Sequence, residues 1–161
     1  SLSIGGTGYQ AGYSFVKTDD NGFSIAGMAA NTNGATTDVL VIKINNDWDI
    51  DWIFQYGGSY NDYSYAIDQF ENGWIVAGQT YSQAAGAGDA WLLYINKVGQ
   101  LEWEKTYGSN YNEGFSDVGK ASDEGIIMCG SSYIAGANQI DGWLIKTDSK
   151  GNYKGYLNYM P

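Results

Sequence analysis

The 161-residue chain matches itself at a spacing of 51 to 52 residues, and this periodicity limits what it can fold into. Asn21-Gly22-Phe23-Ser24-Ile25-Ala26-Gly27 returns as Asn72-Gly73-Trp74-Ile75-Val76-Ala77-Gly78 and again as Glu124-Gly125-Ile126-Ile127-Met128-Cys129-Gly130. Asp38-Val39-Leu40-Val41-Ile42 returns as Asp89-Ala90-Trp91-Leu92-Leu93 and Asp141-Gly142-Trp143-Leu144-Ile145. Tyr9, Tyr60 and Tyr111 stand 51 residues apart. So many matches in one register mark three copies of a single structural unit.

Each copy carries four short strand signals. In the second they are predicted at residues 63–69, 74–80, 90–96 and 101–107, separated by turns rich in Gly and Asn, residues that tolerate positive φ. The loops after the second strand of each copy, at 29–37, 81–88 and 131–140, hold mostly Gly, Ala, Ser and Asn and are the least constrained parts. Leu92, Leu93 and Ile95 make a nearly continuous apolar run, as expected of a strand buried on both faces. Four antiparallel strands in about 50 residues, repeated in tandem, is the signature of a propeller blade. The expected fold is therefore all-β and β-propeller-like, a single domain of three four-stranded antiparallel blades. The blades run over about 9–57, 58–108 and 109–161, with residues 1–5 as an extra strand.

The same residues carry a family resemblance. Trp103-Glu104-Lys105-Thr106-Tyr107-Gly108 and Asp141-Gly142-Trp143-Leu144-Ile145-Lys146 resemble tandem repeats of secreted bacterial and archaeal proteins, mostly uncharacterised and expected to form β-propellers. The likeness covers nearly the whole chain, although Gly155 stands where the other copies have Trp52 and Trp103. It implies a propeller and an extracellular or cell-surface location, and it names no ligand.

Three blades fall short of the four to eight that close a propeller, so two blade faces are left open. Burying them by association of two chains would give a six-bladed ring, and a head-to-tail contact that does not close would give a filament. Residues 1–4 lie where the fourth strand of a preceding copy would be, yet the third copy has its own fourth strand near 153–159. Ser1, Leu2, Ser3 and Ile4 at one end, and Tyr156, Leu157 and Tyr159 at the other, are therefore the expected assembly residues, through blade packing or strand donation to another copy; the alternatives are an end strand that only covers its own edge, or a chain cut from a longer propeller.

Composition removes most chemistry. The chain has no His, and all eight basic residues are Lys against 18 Asp and Glu, a formal charge of −10. Ser-His and Cys-His nucleophiles are absent, as are His-containing zinc sites and the arginine forks that read phosphates and bases, so nucleic acid is not an expected partner. No apolar stretch is long enough for a membrane helix and no signal peptide is visible; Ser1 in place of an initiator Met fits a processed chain and equally a piece of a longer one. Cys129 aligns with Ala26 and Ala77 and reads as a packed core thiol. Asp68 and Asp117, on expected innermost strands, could be a carboxylate pair. Yet Lys17 and Lys120 stand at the repeat partners of Asp68, which favours a structural charge pattern.

Two binding ideas remain beside self-association. Asp38, Asp89 and Asp141 recur before the third strand; they could form Ca2+ sites, but a carboxylate that fixes its own loop by accepting backbone N–H groups is the preferred reading, and no cofactor is expected. The turns 45–49 and 148–152 look superficially like calcium loops without matching the full EF-hand spacing. Trp48, Tyr60, Tyr81, Tyr111 and Tyr133 lie in or near loops and could stack on sugar rings, whereas Trp52, Trp91, Trp103 and Trp143 recur on strands and read as core. The expected function is a non-enzymatic extracellular structural or interaction module that assembles with itself. A carbohydrate-binding, lectin-like propeller is the alternative.

Overall fold

A computed structural model describes residues 3–6, 8–30, 34–134 and 139–156. Among them there is no helix. The strands are β1 (Gln10–Lys17), β2 (Phe23–Ala30), β3 (Thr37–Ile44), β4 (Ile50–Tyr56), β5 (Asp62–Phe70), β6 (Gly73–Thr80), β7 (Asp89–Asn96), β8 (Leu101–Tyr107), β9 (Glu113–Lys120), β10 (Ile126–Ile134), β11 (Gln139–Thr147) and β12 (Tyr153–Tyr156). They form three antiparallel sheets of four, each a simple meander of consecutive strands. Residues 57–61 link the first sheet to the second, and 108–112 link the second to the third.

The turns explain the meanders. Asn21, Glu71 and Glu124 take positive φ in the first hairpin of each sheet, and Trp48, Gly99 and Gly151 do so in the last. In that last hairpin the first turn residue bonds back on the backbone. Asn45 Oδ1 accepts from the amides of Asp47 and Asp49, Asn96 Oδ1 from Val98 and Gln100, and Asp148 Oδ1 from Lys150 and Asn152. The calcium-like look of turns 45–49 and 148–152 is thus accounted for by side-chain-to-backbone bonds that close the turn.

A β-bulge recurs in the first strand of every sheet. The pairing of β1 with β2 skips Tyr13, that of β5 with β6 skips Tyr65, and that of β9 with β10 skips Ser116. Opposite the bulges stand Gly27, Gly78 and Gly130, where a Cβ would come within 1.9 Å of the carbonyl oxygens of Ala11, Tyr63 and Gly114. The glycine that ends the motif in each copy is there because the bulged strand closes on it.

The sheets stack face to face, with β5 against β1 and β2, and β9 against β5 and β6. Between the first two sheets lie Ala26, Val39 and Val41 on one side and Ile67, Trp74, Val76, Trp91, Leu93 and Ile95 on the other. Between the last two lie Ala66, Phe70, Ile75, Ala77, Ala90 and Leu92 against Phe115, Val118, Ile126, Met128 and Ile145. The middle sheet is therefore covered on both faces, and Leu92, Leu93 and Ile95 are fully buried, as their nearly continuous apolar run requires. Each such leucine stabilises the stack by about 1.5–3 kcal/mol. The fourth strands β4 and β8 are mostly exposed edges carrying Asp, Glu and Lys, charges that discourage strand addition.

Three expectations need correction. Cys129 is exposed, not packed. Its counterparts Ala26 and Ala77 are buried because the next sheet lies over them, and among the described residues no sheet lies over β10 on that side. The third long loop is shorter than expected, because β10 and β11 continue their pairing out to Ile134 opposite Gln139. Ser3 to Gly6, the described part of the expected extra strand and its junction, belong to no strand; Ile4 instead rests on Leu40, Ile42 and Ile44.

Candidate functional site

The ladders align the three sheets residue by residue, so each outer position has two inner counterparts. Phe15, opposite Ile25, corresponds to Ile67 opposite Val76 and to Val118 opposite Met128. Ile67 is 5% exposed and Val118 8%, each pressed against a preceding sheet, whereas Phe15 is 70% exposed. Around Phe15, residues Tyr13, Phe23, Ile25, Ile44 and Trp48 line an apolar groove of about 520 Å³ on the uncovered face of the first sheet. Ile4 covers the neighbouring part of that face.

The third sheet is uncovered on the opposite side. Ile127 and Cys129 are exposed there, while their counterparts Ser24, Ile75, Ala26 and Ala77 are buried. The two open faces are different surfaces. The first sheet shows the face of Phe23, Ile25 and Leu40, whose counterparts Trp74, Val76 and Trp91 are covered by a preceding sheet. The third shows the face of Ile127, Cys129 and Leu144, whose counterparts Ile75, Ala77 and Leu92 are covered by a following sheet.

Polar bonds tie the two inner junctions in the same way. Tyr56 Oη donates to the carbonyl of Gly99 at 2.8 Å, and Tyr107 Oη to that of Gly151 at 2.7 Å. Burial pushes both phenols well above the usual tyrosine range. Ser64 Oγ donates to the Gly27 carbonyl at 2.6 Å, and Gln79 Nε2 to that of Glu113 at 2.9 Å.

The recurring aspartates sit at these junctions. Asp38 Oδ1 and Asp62 Oδ2 lie 2.5 and 2.8 Å from the point a Cβ on Gly57 would occupy; Asp89 Oδ1 and Glu113 Oε2 lie 2.7 and 2.8 Å from the corresponding point on Gly108. Glycine is needed after the fourth strand because two carboxylates close over it. Asp62 is satisfied by Thr80, Tyr81, Ser82 and Gly58, and Glu113 by Ser109. Asp89 Oδ2 accepts from the amide of Ala85, the loop-fixing role expected of it, while the buried Oδ1 atoms of Asp38 and Asp89 have no hydrogen-bond donor among the described residues. Burial, and then the charge of Asp62, raise the pKa of Asp38. Asp141, in the third sheet, accepts from Gln139 Nε2 at 3.2 Å. No group of three or more His, Cys, Asp or Glu side chains is placed to hold a metal ion among the described residues. The partners Asp62 and Glu113 were missed in the sequence; each stands five residues after its glycine, a spacing legible once the glycines are aligned.

The expected aromatic binders do not converge. Tyr111 and Tyr133 face each other with ring centres 4.8 Å apart. Tyr81 meets Tyr63 edge-on at 6.3 Å, and Tyr60 is exposed in the link before β5. Trp48 lies at the opposite end of the strands, 5.8 Å from Phe23. Of the expected assembly residues, Ser3 is exposed, Ile4 is half-buried as described, and Tyr156 pairs with Ile145 in the sheet. Ser1, Leu2, Leu157 and Tyr159 lie outside the described residues. Asp68 and Asp117 both accept backbone amides, and the ladder matches Asp68 with Val16 and Gly119, not with the expected lysines. Lys43, the one buried cation among the described residues, pairs with Asp20 at 2.7 Å in a groove between the first two sheets, and Lys146 repeats the pair with Asp123.

Searches with this sequence found no matching family model and no matching curated protein.

Proposed function

We propose that this chain is a non-enzymatic interaction module of propeller-like build that assembles with itself, into a ring or a filament, by covering its two open sheet faces. The observation that carries the reading is the exposure of Phe15 where its counterparts Ile67 and Val118 are buried. Stacked four-stranded meanders with neighbouring first strands are how propeller blades pack, and three of them leave one open face of each of the two sides already joined twice within the chain. The likeness to repeats of secreted proteins is the support for an extracellular setting.

Light scattering after size exclusion, across a range of concentrations, tests this together with alkylation of Cys129. The expected result is a mass above the 17.5 kDa of one chain that grows with concentration while Cys129 becomes protected. A single 17.5 kDa species with Cys129 reactive throughout would overturn it. A second reading, binding of a sugar ring, rests on the partly exposed Tyr111–Tyr133 pair. Glycan titration of the wild type against a Tyr111→Ala variant checks it, and no binding to either disposes of it.

A further inference from the structure

Two residues break the repeat at its two open ends, and they break it in opposite senses. In the last hairpin of the second and third sheets the positive-φ position is glycine, Gly99 (φ 79°) and Gly151 (φ 71°). Both glycines lie under the fourth strand of the preceding sheet. A Cβ on Gly99 would stand 2.3 Å from Phe54 Cδ2 and 3.1 Å from Trp52 Cε3, and one on Gly151 would stand 3.0 Å from Trp103 Cζ3 and from Lys105 Cγ. At each inner junction, then, a tryptophan on the strand lies over a glycine in the turn. Trp52 Nε1 also donates to the Lys97 carbonyl of that turn at 3.2 Å.

In the first sheet, which has no preceding sheet over it, the turn position is Trp48, with φ of 66° and 62% exposed. A bulky side chain on a left-handed residue is uncommon. In β12, which has no following sheet, the ladder places Gly155 opposite Lys146, just as Trp52 is opposite Lys43 and Trp103 opposite Tyr94. A glycine inside a strand weakens it. Within the chain Trp48 touches Phe23, and nothing among the described residues calls for glycine at 155. Taken together they are the inner pair with its large and small members exchanged.

The ring contacts point the same way. Trp52 of the first sheet packs edge-on against Trp74 of the second at 5.5 Å. The counterpart of Trp74 in the first sheet is Phe23, and Trp48 lies 5.8 Å from it. Trp48 thus brings to Phe23, from its own turn, the indole that a preceding sheet brings to Trp74.

We infer that Trp48 of one copy seats against β12 at Gly155 of a second copy, so that the open faces join head to tail and the junction continues the stacking already made twice within the chain. This deepens, and rests on, the self-assembly reading above. The open face of the first sheet and that of the third are different surfaces, which makes the contact heterologous.

The test is an exchange experiment, read by sedimentation and light scattering on full-length chains whose folding is checked by circular dichroism. Trp48→Gly leaves glycine on both sides of the junction, and Gly155→Trp leaves tryptophan on both sides. Each alone should weaken association by about tenfold or more. Combining the two in one chain recreates the inner arrangement and should restore association, as should mixing the two single variants, because each supplies the end the other lacks. Single variants that associate as tightly as wild type, a Trp48→Gly chain that associates more tightly, or a double variant that does not recover would each overturn the contact while leaving self-assembly standing. A wild-type chain that never associates fails the assembly reading itself. Should Gly155→Trp not fold, Trp48→Phe decides: it should lose less association than Trp48→Gly, and equal losses would overturn the contact.

Discussion

The hydroxyl of Tyr107, at the end of β8, donates across a sheet junction to the carbonyl oxygen of Gly151 at 2.7 Å. Tyr56 repeats the bond one junction earlier. Replacing either tyrosine by Phe leaves a carbonyl without its donor and should cost about 1 kcal/mol in urea unfolding. The two bonds lie at different junctions, so the losses should add to within a few tenths of a kcal/mol. A double variant no weaker than either single would show that the junctions do not act independently.

Gly78 and Gly142 provide a matched pair of substitutions. A methyl on Gly78 meets the Tyr63 carbonyl oxygen at 1.9 Å, on backbone that cannot give way, so Gly78→Ala should destabilise by about 2–4 kcal/mol. A methyl on Gly142 meets nothing within 4 Å, and the corresponding residue of the middle sheet is Ala90. Gly142→Ala should stay within about 0.5 kcal/mol of wild type in dilute solution. Denaturation midpoints measure both.

Two aspartates should give opposite dependences of stability on pH. Asp20, paired with Lys43 and bonded by Thr18, has its pKa lowered from 3.8 to about 2. Its contribution is therefore present above about pH 4 and lost as the pH falls from there toward 2. Asp38 is shifted the other way, by burial and by Asp62. The native state keeps that proton after the unfolded chain has released it, so stability declines as the pH rises above 3.8 until native Asp38 also ionises. Asp20→Asn should abolish the acid loss and lower stability at neutral pH. Asp38→Asn should abolish the decline and raise stability at neutral pH. Thermal melts of the three proteins from pH 2 to pH 7 check both signs.

Cys129→Ala puts the residue of the two covered copies on the open face, and it should leave the stability of the single chain within about 0.5 kcal/mol of wild type. The thiol of the dilute wild-type protein should react with an alkylating reagent as fast with the chain native as with the chain unfolded. Strong native-state protection in dilute solution would contradict the exposure of β10 on that side.

The strands were legible because the repeat supplies three readings of each one: β8 lies where its pattern puts it, and β5, β6 and β7 begin only one residue early. The bulges at Tyr13, Tyr65 and Ser116 were not, because an unpaired residue that recurs at the same place in every copy leaves the repeat spacing unchanged. Cys129 was misread because alignment with Ala26 and Ala77 transfers a chemical position but not the neighbour that covers it. The carboxylate pairs were half legible. Asp38 and Asp89 recur at fixed places, but Asp62 and Glu113 join them from the next copy, and that proximity exists only after the sheets have stacked. Trp48 stood out as an aromatic in a loop; its relation to Gly155 needed the ladders that put both residues in the frame of Trp52 and Trp103.

The links at 57–61 and 108–112 are too short to let a new sheet settle anywhere except against the one just finished. A ribosome releasing these repeats therefore builds in one direction: each completed repeat offers the open face on which the next is laid. The face left uncovered after the third repeat is the one bearing Cys129, in the state that each earlier face held before its successor emerged. A second copy landing there would carry on by diffusion what synthesis had been doing by covalent order.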